Sequence, residues 1–239
     1  MKLLKLALKP QTAFPVLALT FASAVSVLLV VARIIWTREW YSAYLVWNLF
    51  LAWMPLAFAL LAYDEYRQCG ARKWRFWAVG AAWLLFFPNA PYIFTDVIHL
   101  TTGYFHYFWV DLTLIMLSAV TGLVLGFLSL FLMQSLVIEI AGRLASWGFI
   151  VVVASLSAIG IYLGRFLRFN SWDVLLKPIA LYHGIGSLAL RPTGHLNSVA
   201  FPMMFAAFLF VSYLMLYALT HLQLAQSRAS VSPAPSGVK

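Results

Sequence analysis

Stretches of about 20 apolar residues recur from one end of the chain to the other, and this pattern limits the folds available to it. Each stretch is long enough to cross a hydrocarbon core of about 30 Å as a helix. Hydrophobic residues make up 64% of the 239 residues and charged residues only 10%, whereas soluble domains are about 25% charged. The sequence therefore predicts an all-α protein, a polytopic transmembrane helical bundle.

Apolar length, together with interruptions by charged, proline or glycine residues, divides the chain into six predicted spans, with the third broken at Pro88–Asn89. Residues 1–13 form a basic interfacial segment, residues 14–220 a single transmembrane domain, and residues 221–239 a tail predicted to be disordered. The spans run from about Phe14 to Ile35, Tyr41 to Tyr63, Phe76 to Ile98, Phe108 to Ile138, Trp147 to Gly164 and Val199 to Leu219.

The N-terminus also has the basic start and apolar stretch of a signal peptide, with Ala22-Ser23-Ala24 as a candidate cleavage site. Because the apolar run continues to Ala32, the segment is long enough to span, and a retained anchor is the favoured interpretation.

The distribution of Lys and Arg predicts which side each span end faces. With the N-terminus in the cytoplasm, ten of the 16 basic residues fall on inner segments and six on outer ones. This favours cytoplasmic N- and C-termini. The net charge of +9 is spread over span ends instead of forming one patch, so no nucleic-acid partner is predicted. Four of the six outer basic residues lie in one loop, residues 165–198. This concentration is unusual, because outer loops generally contain few Lys and Arg residues.

The string FFPNAPYIFTDVIHL, residues 86–100, places several helix-breaking and polar residues within the third span. Pro88 lacks a backbone N–H and disfavours helical geometry in the residue before it, so the helix is predicted to break there. Asn89 is then expected to cap a new helical segment, with Pro91 in its first turn. Backbone groups freed at this depth must be satisfied inside the protein or in a wet cavity.

Polar residues from distant parts of the chain are predicted to meet at the outer end of the bundle. Asp96 and His99 are three residues apart and share a helix face, and Asp111 begins the fourth span. Arg165 and Arg168 have the same spacing at the exit of the fifth span, on the same side of the membrane. Because a carboxylate facing lipid is costly, Asp96 is expected to pair with one of these arginines. Alternatively, the arginines hold an anionic ligand.

The loop that follows these arginines contains further polar residues. Ser171 is predicted to cap a short interfacial helix with Asp173 near its start, while Asn170 precedes it. The full candidate site, for a ligand or for ion pairs, comprises Asn89, Asp96, His99, Asp111, Arg165, Arg168, Asn170 and Asp173.

Two further contacts are predicted from spacing alone. Ser118, Gly122 and Gly126 in the fourth span, with Gly160 and Gly164 in the fifth, are small residues that would let these two spans pack closely against each other. Glu139 is expected to pair with Arg143, one helical turn further along.

Motifs that would identify a chemical reaction are absent from the sequence. Asp96 and His99 could serve as metal ligands or as an acid–base pair, but a metal needs three or four ligands and no His-x-x-x-His spacing is present, so no metal and no cofactor are predicted. Phosphate loops, dinucleotide fingerprints and Gly-x-Ser-x-Gly elbows are also missing, which argues against soluble-enzyme classes. The lone Cys69 excludes an intrachain disulfide.

The pairing of LLFFPNAPYIFTDVIHL with RFLRFNSWDVL resembles a family of bacterial polytopic membrane proteins, domain of unknown function 1361, over about residues 30–220. The resemblance implies a bacterial inner membrane and no particular activity or catalytic residue.

Three functional hypotheses follow from the polar residues. The first is binding or transport of a small anionic or lipid-headgroup ligand, motivated by two arginines facing the N-terminus of a half-helix. The second is a membrane enzyme acting on a lipid or lipid-linked substrate, with His99 or Asp96 as the base. The third is a structural or assembly role without a ligand.

Overall fold

The computed structural model describes residues 10–101, 107–168 and 196–231, and helix is the regular secondary structure found in these ranges. Short 3₁₀ turns connect or extend the α-helices at Trp40–Ala43, Gly70–Arg72 and Ile93–Thr101. The α-helices are α1 (Pro10–Thr37), α2 (Tyr44–Cys69), α3 (Trp74–Phe86), α4 (Asn89–Tyr92), α5 (Phe108–Phe166) and α6 (Leu196–Val231).

Among the residues that the structure describes, five helical stretches are long and apolar enough to cross a membrane, which agrees with the predicted all-α bundle. The third of them joins α3, α4 and the following 3₁₀ turn. The stretches are Phe14–Thr37, Trp40–Gln68, Trp74–Leu100, Phe108–Phe166 and Val199–Thr220.

Helix α5 is too long to be one membrane span. Its 59 residues would extend about 88 Å at 1.5 Å per residue, close to three times the thickness of a hydrocarbon core. Gly142 has non-helical dihedral angles inside it (φ 89°, ψ 172°), which a residue without a Cβ adopts readily. Gly142 therefore divides α5 into a first arm, residues 108–141, and a second arm, residues 143–166, which gives six helical segments of crossing length within the described residues.

Both arms of α5 pack against the same part of the third span. A Cβ added at Gly126 in the first arm would lie 3.1 Å from the Ala90 Cβ, and one at Gly160 in the second arm would lie 3.2 Å from the Pro88 Cγ. These two glycines are about equally far along the chain from Gly142. The two arms therefore run in opposite directions past the break in the third span.

The prediction that small residues join the fourth and fifth spans directly is wrong. The nearest atoms to an added Cβ at Gly122 are the Ala90 carbonyl oxygen at 2.8 Å and the Ile93 Cδ1 at 2.9 Å, both in the third span. Ser118 hydrogen-bonds instead to Ser26 of α1, with 2.6 Å between the two hydroxyl oxygens. Small-residue spacing marks a surface of close approach, but spacing alone does not say which helix approaches it.

Glu139 also has a different partner from the predicted one. Its carboxylate accepts a hydrogen bond from Arg67 Nη2 at 3.1 Å, so it joins α2 to the first arm. The expected partner, Arg143, follows the non-helical Gly142 and begins the second arm. Residues 139 and 143 are therefore no longer on adjacent turns of one helix, which removes the basis of the prediction.

The apolar core consists of two groups of buried residues, and the third span contributes to both. One group joins α2, α3, both arms of α5 and α6, and the other joins α1, α2, the first arm and the α4 region. Phe87 belongs to the first group, whereas Ala90 and Ile93 belong to the second. The residues around the break are thus held by packing in both groups.

The described helices extend beyond the predicted transmembrane domain at both ends. Helix α1 begins at Pro10, and α6 continues to Val231, past the boundary predicted at residue 220. The difference arises because hydropathy marks where apolar residues stop, whereas good helix formers such as Leu, Ala, Gln and Arg continue the helix into a polar region.

Candidate functional site

The break in the third span is a local loss of helical hydrogen bonds instead of a sharp bend. Phe87 (φ −54°, ψ −41°) and Pro88 (φ −58°, ψ −24°) both keep right-handed helical dihedral angles. The Ala90 N–H donates to the Phe87 carbonyl at 3.2 Å, which is the shorter 3₁₀ pattern. From Ile93 to Thr101 the chain continues as a 3₁₀ helix, which carries the polar residues of the site.

Asn89 lies at this break, but it does not cap α4 as predicted. Its side-chain Nδ2 donates to the Phe86 carbonyl oxygen at 3.0 Å, and the cap position is occupied by Pro88 without a side-chain bond. The Phe86 carbonyl is available because its α-helical donor, the Ala90 N–H, bonds to the Phe87 carbonyl instead. Asn89 thus satisfies a carbonyl freed by the break, as a buried backbone group requires.

The N-terminus of α4 does not form the anion site that a half-helix would provide. The helix has only four residues, and Pro91 has no N–H. The N–H groups of Ala90 and Tyr92 are bonded to the carbonyls of Phe87 and Pro88. The N-terminus of α4 therefore has few N–H groups left to bind an anion.

Asp96 forms a buried ion pair with Arg165, as predicted. Arg165 Nη2 donates to Asp96 Oδ1, and Asn48 Nδ2 donates to Asp96 Oδ2 at 2.8 Å. The Asp96 side chain is only 1% exposed and that of Arg165 is 12% exposed. Both carboxylate oxygens are thus occupied, and the contacts tie the third span to α2 and to the second arm of α5.

The Arg165 guanidinium is surrounded by further partners. Nε and Nη2 donate to the Thr95 hydroxyl oxygen at 3.1 and 2.8 Å. The guanidinium carbon lies 4.6 Å from the centre of the Tyr92 ring, a cation–π distance. This set of bonds offsets much of the cost of removing the ion pair from water.

His99 lies between this buried pair and the molecular surface. Its Nε2 is 3.1 Å from Arg165 Nη1 and 3.8 Å from Asp96 Oδ1, and its side chain is 35% exposed. Its Nδ1 is 3.3 Å from the Tyr41 hydroxyl oxygen. The rings of Tyr41 and Tyr44 lie 6.2 and 5.0 Å from the imidazole, between ring centres. His99 is therefore held on both nitrogens and packed between aromatic rings.

Asp111 belongs to a separate ion pair at the same end of the bundle. Arg33 Nε donates to its Oδ1 at 2.9 Å and Arg33 Nη2 to its Oδ2 at 3.3 Å. Tyr107 lies under the Arg33 guanidinium, with 4.6 Å between the ring centre and the guanidinium carbon. The expectation that Asp111 would join Asp96 in one site thus needs correction, because its partner comes from α1.

Arg168 differs from Arg165 although it is only three residues further along the chain. It is exposed, has a positive φ of 57°, and forms no ion pair with the residues that the structure describes. Helix α5 ends at Phe166, so Arg168 has left the helix and no longer shares a face with Arg165. Asn170 and Asp173 lie outside the described residues.

We call the end of the bundle that holds both buried ion pairs the polar end, and the opposite end, with Arg67 and Glu139, the Gly142 end. The sequence interpretation missed four polar-end residues: Arg33, Asn48, Tyr92 and Thr95. Arg33 and Asn48 could have been identified from the sequence, because a charged or amide side chain within an apolar run needs a partner. Within the described part of the chain, no group of three His, Cys, Asp or Glu residues could hold a metal ion.

Comparison with known proteins gives one family. No curated protein and no solved structure matches the chain. A family model described as "Protein of unknown function (DUF1361)" matches residues 47–215, which is more than half of the chain and includes both the third span and Arg165. The chain belongs to the DUF1361 family.

Proposed function

We propose that the polar end binds, or helps to transport, a small anion or an anionic lipid headgroup. The observation that carries this proposal is the buried, fully bonded Asp96–Arg165 pair at a broken span, next to an arginine that remains exposed. Ionisable residues inside membrane spans are expensive and usually mark ligand sites or ion paths. Interrupted spans that line such sites are common in transporters.

The charges of the described residues favour an anion. The Asp96 carboxylate cancels the charge of Arg165, and His99 is neutral because its Nε2 accepts from a guanidinium. Of the other described charged residues at this end, Arg38 and Arg168 outnumber Glu39, which leaves a net positive charge. A positive group at the edge of a low-dielectric bundle attracts anions and prefers phosphate or carboxylate oxygens as partners.

The two arginines are expected to have different roles in the proposed site. Arg165 is surrounded by Asp96, Thr95 and Tyr92, so it is expected to stabilise the site without contacting the ligand. Arg168 is exposed, so its guanidinium is accessible to a ligand. The ligand is thus expected to contact Arg168 and the partly exposed His99, and not the buried Asp96.

A structural role without a ligand is the second candidate. It is favoured by Asp96 itself, whose two oxygens are both bonded and whose side chain is almost fully buried. A membrane enzyme has less support, because Asp96 is inaccessible as a base and both ring nitrogens of His99 are already in hydrogen bonds.

We further propose that the protein is a multi-pass protein of the bacterial cytoplasmic membrane with the polar end facing outward. The excess of Lys and Arg on the inner segments supports this orientation. A membrane-impermeant maleimide should label Arg168→Cys, but not Arg143→Cys, from outside intact cells in a Cys69→Ser background. The reverse pattern would show the opposite orientation.

The binding proposal is tested with the Arg168→Ala variant of the full chain in a maltoside detergent, which contains no phosphate. Phosphatidic acid and inorganic phosphate serve as separate probes, and affinity is read from ligand-induced thermal stabilisation. Arg168→Ala should weaken binding about tenfold or more, as expected for the loss of a charge-assisted bond. Arg143→Ala, which removes an exposed arginine at the Gly142 end, is the matched control and should bind as the wild type does.

The two candidate functions give different results in this experiment. If the wild-type protein binds neither probe, while substitutions at Asp96 and Arg165 lower only the melting temperature, the structural role is supported. Equal loss of binding in Arg168→Ala and Arg143→Ala would show non-specific attraction to the basic chain.

A further inference from the structure

Among the residues that the structure describes, two buried side-chain polar atoms have no hydrogen-bond partner, and both belong to α5. They are Nε2 of Gln134 in the first arm and Oγ of Ser157 in the second arm, and each residue is only 1% exposed. A polar group that is removed from water without a partner is costly, and lipid tails offer no partner. Each of the two atoms therefore needs an explanation.

The Ser157 hydroxyl has a partner within reach in its own helix. Three other serines of α5 each donate to a carbonyl three or four residues earlier, at 2.7, 2.7 and 2.9 Å: Ser129, Ser146 and Ser155. Rotation about the Cα–Cβ bond of Ser157 would bring its hydroxyl to the corresponding carbonyl. Ser157 therefore requires no ligand.

The Gln134 amide has no such solution. Its Oε1 accepts a hydrogen bond from the Tyr213 hydroxyl at 2.6 Å, and this bond holds the amide between the first arm and α6. Exchanging the two amide atoms by a half-turn would let Nε2 donate to the Tyr213 oxygen, but it would only transfer the deficit to Oε1. In either orientation, the amide needs one more partner than the described residues provide.

This amide lies well inside the bundle. Gln134 is eight residues from Gly142 and eight from Gly126, which faces the break, so it lies about 12 Å along the first arm from each. Its partner Tyr213 is 2% exposed, and the Tyr213 ring lies 5.7 Å from the Phe127 ring, between ring centres. The missing partner is therefore a small molecule enclosed in the bundle and not bulk solvent.

We infer that Gln134 and Tyr213 form a binding site for one buried water molecule. The water accepts a hydrogen bond from Gln134 Nε2 and donates one to the Tyr213 hydroxyl oxygen, whose own proton is used by Gln134 Oε1. Water suits this site because it is both a donor and an acceptor. An anion would face the lone pairs of the Tyr213 oxygen, and a cation would face the amide N–H groups. The site is independent of the ligand proposed at the polar end.

Radiolytic labelling of the full-length protein in maltoside detergent tests the site. X-rays convert bound water into hydroxyl radicals, which modify the side chains that contact it, and mass spectrometry measures the modification. Tyr213 should be labelled despite its burial, whereas Trp83, which is 1% exposed and at least as reactive toward these radicals, should stay at background. An unlabelled Tyr213 would overturn the inference, as would equal labelling of Trp83, which would show that radicals enter from bulk solvent.

Two variants test whether the water is held by the Gln134 amide. The double variant Gln134→Leu, Tyr213→Phe replaces both polar groups by apolar side chains of similar size, and labelling at position 213 should fall to background. Ser157→Ala is the matched control, because it removes the other unpaired polar atom of α5 and should leave the labelling of Tyr213 unchanged. Full labelling at position 213 in the double variant would overturn the assignment of the water to this pair.

Side-chain amide NMR of the wild type provides a readout that does not depend on the folding of a variant. The Gln134 Nε2 protons, assigned through their contacts with the Tyr213 ring, should show cross-relaxation with a water molecule. An N–H group that points at an aromatic ring would instead show an upfield shift and no contact with water. That result would overturn the inference, because a ring would then be the missing partner.

Discussion

The polar end and the Gly142 end each contain an arginine–carboxylate pair, but the two pairs lie in very different environments. At the polar end, the side chains of Arg165 and Asp96 are 12% and 1% exposed. At the Gly142 end, those of Arg67 and Glu139 are 53% and 41% exposed. Exposed pairs contribute little to stability, whereas removal of one partner from a buried pair leaves an uncompensated charge. The environment, more than the residue types, therefore decides what each pair does.

The number of additional partners reinforces this contrast. The Asp96–Arg165 pair is bonded to Asn48, Thr95 and His99. The Arg67 guanidinium has one further hydrogen bond among the described contacts, from Nη2 to the Tyr63 hydroxyl at 3.0 Å. A satisfied buried network favours one arrangement of the helices over others. We expect the polar end to be rigid and sensitive to substitution, and the Gly142 end to be tolerant.

The largest effect is expected for Asp96→Asn. The variant keeps the size of the side chain but leaves the Arg165 charge buried without a counter-charge, which costs about 3–5 kcal/mol. We expect a large decrease in the free energy of unfolding in detergent micelles. The double variant Asp96→Asn, Arg165→Gln should recover much of this loss, because two neutral groups replace the pair. A double variant no more stable than Asp96→Asn would contradict the assignment of the loss to an unpaired charge.

An intermediate effect is expected for Asp111→Asn, which tests the second buried pair of the polar end. The Arg33 side chain is more buried than that of Arg165, but Glu39 Oε2 lies 4.0 Å from its Nη2 and compensates part of the charge. The free energy of unfolding should fall by about 1–3 kcal/mol. Glu39→Gln, the control, should have a smaller effect than Asp111→Asn. A loss equal to that of Asp96→Asn would mean that Glu39 provides no compensation.

The smallest effect is expected for Glu139→Gln at the Gly142 end. Both partners of this pair are solvent-accessible, so water replaces the lost contact and salt already screens it. The melting temperature in detergent should stay within the scatter of repeated wild-type measurements, at low and at high salt. A decrease approaching that of Asp111→Asn would remove the distinction between the two ends.

Much of the fold and part of the polar end could be predicted from the sequence. The break at Pro88 and the pairing of Asp96 with an arginine follow from the missing N–H of proline and from the cost of an unpaired carboxylate in lipid. The partner of Asp111 could not be predicted in the same way. Arg33 lies near the end of the first span, where a basic residue is common, and 78 residues separate it from Asp111.

The sequence by itself determined that this protein is a helical bundle, where its third span breaks and that its few buried charges must be paired. These features depend on local properties of the chain: the length of its apolar runs, the geometry of proline and the cost of an isolated charge in lipid. Only the tertiary structure decided that Asp96 takes Arg165 and not Arg168, and that Asp111 takes Arg33. Those choices depend on how helices rotate and pack against one another, because helical spacing shows which residues share a face but not which helix that face meets.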